Sequence, residues 1–169
     1  MGKPLQSVNF MLRGATVAVA LWLSAGGVYA QSAAPLARLA GQWSGSGTID
    51  LSDGSREPIR CRAAYDVLDR HRKVEMSIRC ASESYSFDLR GSADDSGGAI
   101  SGIWSESTRN IAGTISGRAH GDQFRVLATS PAFSATLTLI THGSRQSVSI
   151  RAQDPQASLR GASIALRRH

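Results

Sequence analysis

The chain has 169 residues, with 19 Lys and Arg against 13 Asp and Glu, for a formal net charge of +6 at pH 7. That length makes one ordinary domain rather than several, and no apolar run after the N-terminal one is long enough to span a bilayer as a helix. The composition offers two Cys and four His, but no CxxC, HExxH, GxSxG or P-loop pattern, so the familiar metal, nucleophile and nucleotide signatures are absent.

Residues 1–30 read as an export signal. Lys3 and Arg13 form a positive n-region, Ala15 to Leu23 a short apolar core, and Val28-Tyr29-Ala30 a small-x-small cleavage site. Cleavage after Ala30 places the mature chain, residues 31–169, in the periplasm or outside the cell. The mature charge is then +4, and Lys73 is its only lysine. Arginine grips carboxylates and phosphates with two parallel bonds, so an anionic envelope component is one conceivable partner.

Ala33 to Leu39 reads as one or two helical turns, with Pro35 at a first helical position and Leu36 and Leu39 on one face. Leu39 to Leu51 then alternates as a strand. Trp43, Gly45, Gly47, Ile49 and Leu51 share one face, and Ser44, Ser46, Thr48 and Asp50 the other. Inward glycines have two readings: they let the strand bend as a barrel closes, or they leave room for a ligand.

Nine further alternating runs follow at short spacing. They are Glu57 to Leu68, Lys73 to Ala81, Tyr85 to Arg90, Ala99 to Ser107, Asn110 to Ala119, Gln123 to Thr129, Ala132 to Thr141, Arg145 to Ala152 and Leu159 to Arg168. Gly91 to Gly98 reads as a polar loop, and Gly121-Asp122 and Gly143-Ser144 as tight hairpin turns. Ten runs on short links predict an all-β fold. It is a single antiparallel up-and-down β-barrel of about ten strands, preceded by a short helical turn. A sandwich is the alternative, but no crossover loop long enough for a Greek key is available.

Partners in a hairpin have residue numbers of constant sum, and 141 suits the second and third strands. Val67 then faces Val74, Tyr65 faces Met76, Ala63 faces Ile78 and Cys61 faces Cys80. A slip of one residue would turn the apolar set outward. Two cysteines brought face to face in an exported chain predict a disulfide. The same register sets Arg62 opposite Arg79 on the outer face, beside Arg60. Like charges so placed repel; a bound anion would relieve the cost, as would guanidinium arms splayed into water.

Candidate ligand-lining or core residues are Trp43, Tyr65, Met76, Phe87, Trp104, Phe124 and Phe133, all on inward faces. His71, His120 and His142 fall in or beside turns and His169 is last, without metal-ligand spacing. Asp94-Asp95 lacks the ligand spacing of a calcium loop. The aromatics sit on the apolar face rather than among exposed basic residues, which argues against nucleic-acid binding.

Gly41-Gln42-Trp43, after a short helical turn, resembles the G-x-W signature of the lipocalin-like (calycin) barrels. The resemblance implies a late basic residue, Arg167 or Arg168, packed over Trp43. The fuller Gly41-x-Trp43-x-Gly45-x-Gly47 is similar to the start of nitrobindin-type barrels, which have ten strands and bind haem through a late His pointing inward; no His here is expected to do so. The chain also resembles small exported proteobacterial barrel proteins. Periplasmic metalloprotease inhibitors share the Gly-Gln-Trp start and one early disulfide, and the resemblance implies that Gln31 to Ala34 would act as an arm in a protease cleft. The expected function is a non-catalytic exported barrel, monomeric and without a cofactor, holding a small apolar ligand. The alternative is a protease inhibitor or a protein that meets envelope components through its N-terminal arm or basic outer face.

Overall fold

A computed structural model describes Gly2 and residues 34–169. The expected export segment, Gly2 aside, and Gln31 to Ala33 of the arm lie outside the described residues. A short 3-10 turn, Pro35–Arg38, leads into ten strands: β1 (Gly41–Leu51), β2 (Arg56–Leu68), β3 (Lys73–Ala81), β4 (Ser86–Ser96), β5 (Ala99–Glu106), β6 (Ile111–His120), β7 (Gln123–Ser130), β8 (Phe133–His142), β9 (Arg145–Ala152) and β10 (Leu159–Arg168). Each strand pairs antiparallel with its neighbours in sequence, and β1 pairs with β10, so the sheet closes without an edge. The all-β barrel with its preceding turn is thus the architecture of the chain, and the sandwich is excluded.

Alternation dictates the wall. Trp43, Ile49, Ile59, Tyr65, Val74, Phe124 and Ile164 turn inward and are buried, while the residues between them face water. Gly121 and Gly143 hold φ of +61° and +58° in two-residue turns, a backbone that suits glycine. Glycine at inward positions serves closure rather than ligand space. A Cβ on Gly45 would lie 2.0 Å from the Ala165 carbonyl oxygen, and one on Gly113 would lie 1.8 Å from that of Thr129. Neighbouring strands pass too close there for any side chain.

The 141 register holds along the whole β2–β3 pair, from Leu68 against Lys73 to Arg60 against Ala81. Cys61 and Cys80 are bonded, with Cα atoms 4.1 Å apart, and both are buried.

One local expectation is corrected, and one local irregularity is added. Residues 91–96 are not loop: β4 continues through them, pairing Gly91 with Met76 and Trp104, and Asp94 with Lys73 and Ser101. Polar side chains are tolerated there because they face out, and the one that faces in, Asp95, is used as an acceptor by the Gly98 N–H at 2.6 Å. In β10 strict alternation from Leu166 turns Leu159 outward, yet Leu159 is buried. The register shifts where Asp50 meets Gly161 and Leu51 meets Leu159, leaving Arg160 as an extra residue. A bulge of this kind turns the following side chain over to the other face.

Candidate functional site

The barrel has two unlike ends. At the end where β1 begins, the 3-10 turn lies across the opening and puts Leu36 and Leu39 inside. Trp43 closes the same end from the wall, its indole Nε1–H donating to the Leu39 carbonyl at 2.7 Å. The Arg168 guanidinium stacks 4.6 Å above the Trp43 ring. It also donates to the carbonyls of Arg38 at 2.5 Å and Gly143 at 3.3 Å. Arg168 therefore ties the plug, the first strand and the β8–β9 turn together; Arg167, the other candidate for that place, is exposed on the outer face.

Beneath the plug runs a buried polar chain that alternation did not reveal. The Tyr65 hydroxyl donates to Gln146 Oε1 at 3.2 Å, and Gln146 Nε2 donates to Thr141 Oγ1 at 3.0 Å. Burial pushes the Tyr65 phenol well above its ordinary range. These groups satisfy one another, so none is left to face the interior.

The opposite end is rimmed differently. Tyr85, Phe87, Ile111 and Phe133 are only partly buried, in contrast to the sealed ring at the plug. Arg109 covers this rim: its guanidinium lies 4.1 Å above the Tyr85 ring and donates to the Ser86 carbonyl at 2.9 Å. The β5–β6 turn is pinned from below by Glu106, which is inward and buried. Its carboxylate accepts from the Asp88, Thr108 and Arg109 backbone N–H groups at 3.0, 2.8 and 2.9 Å and from the Thr108 hydroxyl. Burial alone would raise the Glu106 pKa, but these donors outweigh it and hold it at about 2, below the ordinary 4.5.

That shift carries a pH dependence. A depressed carboxyl stabilises the fold above its unfolded pKa, and the contribution fades as pH falls from about 4.5 towards about 2. Glu106→Gln is expected to cost about 2 kcal/mol at neutral pH. It should flatten the acid limb of stability between pH 5 and 2, as followed by urea denaturation at a series of pH values.

Between the two ends lies a cavity of about 150 Å³. Among the described residues that line it, Tyr65 carries the only side-chain oxygen or nitrogen, and its hydroxyl is committed to Gln146. Of the residues singled out from the sequence, Tyr65, Met76, Phe87 and Phe124 line this space, and so do both halved cystines, Cys61 and Cys80. Trp43 is part of the plug. Trp104 is buried nearer the rim, donating its indole N–H to the Thr114 carbonyl at 3.2 Å and packing edge-on to Phe133 at 6.3 Å. Larger concavities exist on the outer wall, one of about 760 Å³ beside Asp66, Glu75, Arg90 and the exposed Ile103, but they are open to solvent and mixed in polarity.

Haem, which the nitrobindin resemblance would bring, does not fit. His71, His120, His142 and His169 are all exposed, so none offers an inward axial ligand, and the cavity is far smaller than a macrocycle. Among the described residues no three His, Cys, Asp or Glu side chains gather to hold a metal.

Outside, Arg62 faces Arg79 as the hairpin register requires. Arg79 Nε pairs with Asp88 at 2.8 Å. Arg60 and Arg62 are exposed and flank a groove of about 560 Å³ with Ser44 and Ser46.

No family model matches the chain, and no curated protein matches it in sequence. Solved structures do. Rv2717c from M. tuberculosis superposes with a TM-score of 0.65 at 12% identity, over 83% of this chain and 98% of that one. The S-type phycobiliprotein lyase CPES from Guillardia theta superposes with a TM-score of 0.56 at 10% identity, over 79% and 90%. At such identities the likeness is one of fold alone, an antiparallel β-barrel.

Proposed function

We propose that this chain is a non-catalytic, exported barrel that holds a small apolar molecule in its interior. The observation that carries the reading is the cavity of about 150 Å³ whose lining offers no free polar group. A dry apolar space of this size suits a benzene-sized hydrocarbon and lies below the several hundred Å³ of pockets for larger ligands. The plug seals one end, so passage belongs to the Tyr85–Arg109 rim. Export is supported by the n-region, apolar core and Val28-Tyr29-Ala30 site, and by a disulfide, which persists in oxidising compartments.

Benzene serves as the probe. Saturating it is expected to raise the melting temperature by about 2–4 °C for each kcal/mol of binding free energy gained. Val148, half-buried on the cavity wall, offers the control: Val148→Phe should fill the space and abolish the shift while the protein still melts cooperatively. No shift in the wild type, together with a clean mass in native mass spectrometry of protein from its natural host, would remove the reading.

A further inference from the structure

The arginine pair read from one hairpin is part of something longer, which appears only when the barrel closes. Following the pairing around the outer wall, Arg145 on β9 stands beside Arg167 on β10, Arg167 beside Ser44 on β1, Ser44 beside Arg62 on β2, and Arg62 beside Arg79 on β3. The row ends at Asp88 on β4. Neighbouring strands are about 4.8 Å apart, so four guanidinium groups line up over about 19 Å. Arg60 widens the row by one position, opposite Ser46. Among the described residues no carboxylate pairs with Arg60, Arg62, Arg145 or Arg167. The acidic pair on the same wall, Asp66 against Glu75, is set off from Arg62 and Arg79 by the Ala64–Ser77 pair.

Four like charges in one row repel one another, and the fold does nothing to neutralise three of them. We propose that this row is a binding surface for a linear acidic polysaccharide. A carboxylate or sulfate on each sugar presents two oxygens that suit the bidentate geometry of arginine. The strand residues around the row are small and hydroxylic, Ser44 and Ser46 on β1, Ser147 and Ser149 on β9 and Ser163 on β10, and the His169 imidazole is hydrogen-bonded to Ser44 at the centre of the row. The serines leave the guanidinium groups accessible and add donors and acceptors for sugar hydroxyls. The row spans five adjacent strands of ten, half the girth of the barrel, so a flexible chain follows it where a flat lipid surface touches only a part. Aromatic side chains are missing from the outward positions of β9, β10, β1, β2 and β3; the one ring beside the row, the His169 imidazole, is held by the Ser44 hydroxyl, so a run of nucleic-acid bases would not find the successive rings on which it stacks.

Heparin is the probe, immobilised and eluted with salt. The protein is expected to be retained at about 0.15 M salt, where weak surface fields are screened. Arg62→Ser with Arg167→Ser should bind roughly tenfold more weakly, in keeping with the modest strength of exposed ion pairs. The barrel supplies its own control: Arg118 and Arg125 also face each other, on β6 and β7, and are exposed. Arg118→Ser with Arg125→Ser removes the same charge and should leave retention nearly unchanged. Equal losses in the two double variants would reduce the effect to net charge and overturn the proposal. Failure of the wild type to be retained would do so as well. So would competition by a single-stranded oligonucleotide as effective, charge for charge, as heparin. Circular dichroism of each variant confirms that only folded proteins are compared.

Discussion

Trp43→Ala is expected to lower stability by about 3–5 kcal/mol, measured as a fall in the urea midpoint at unchanged slope. Trp43 is 1% exposed and does not line the interior cavity. Its removal leaves a void between the 3-10 turn and the wall that the closed barrel cannot collapse to fill. Two further losses follow. The Leu39 carbonyl gives up the indole donor, and Arg168 gives up the ring it stacks on. Trp43→Phe separates these effects: it keeps most of the apolar body and the cation stacking but loses the hydrogen bond, and about 1–2 kcal/mol is expected. Because the ring belongs to the plug and not to the cavity wall, benzene should still shift the melt of Trp43→Phe. A loss of that shift with little loss of stability would instead place Trp43 in the ligand site.

How far the sequence reached depends on whether a feature is local. The β2–β3 register was legible because apolar residues, two cysteines and a short turn agree on one alignment. The strand limits were legible because turns and alternation coincide at nearly every hairpin. Residues 91–96 were not, since nothing in Ser92, Asp94 and Ser96 distinguishes an outward strand face from a loop. The inward polar residues Asp95, Glu106, Thr141 and Gln146 were missed for the opposite reason: alternation assigns polar side chains to water, and it does not register the hydrogen bonds that satisfy them inside, from the Gly98 N–H to Asp95, from the turn around Glu106, and along Tyr65, Gln146 and Thr141. The one available signal was parity, since Glu106 falls two residues after Trp104, and Thr141 two after Leu139. The cavity had no signal at all, because its volume is the remainder left when side chains from the plug and from nine strands, all but β1, meet. The arginine row lies between these cases. Its Arg62–Arg79 step is local, but its continuation to Arg167 and Arg145 needs the β1–β10 closure.

Removing the Cys61–Cys80 bond by Cys61→Ala with Cys80→Ala is expected to cost roughly 3 kcal/mol. The two residues are 19 apart in sequence, and a cross-link closing a loop of that size lowers the entropy of the unfolded chain by about that amount. The native state adds to this in a smaller way. Both sulfurs stand on the cavity wall, so the double substitution enlarges an apolar space as well as loosening the unfolded chain. Against that, residual hairpin structure in the unfolded chain would shrink the entropic part. Reduction should be slow in the folded protein, because both residues are 4% exposed and a thiolate must reach the sulfur it attacks. With dithiothreitol alone, thiols should appear at the rate of global unfolding; with urea added, they should appear at once. Peptide mapping of the non-reduced protein fixes the starting point: one linked pair of peptides carrying Cys61 and Cys80. Two free thiols, or a dimer joined through either cysteine, would mean that the β2–β3 pair does not form its bond in the compartment where the protein folds.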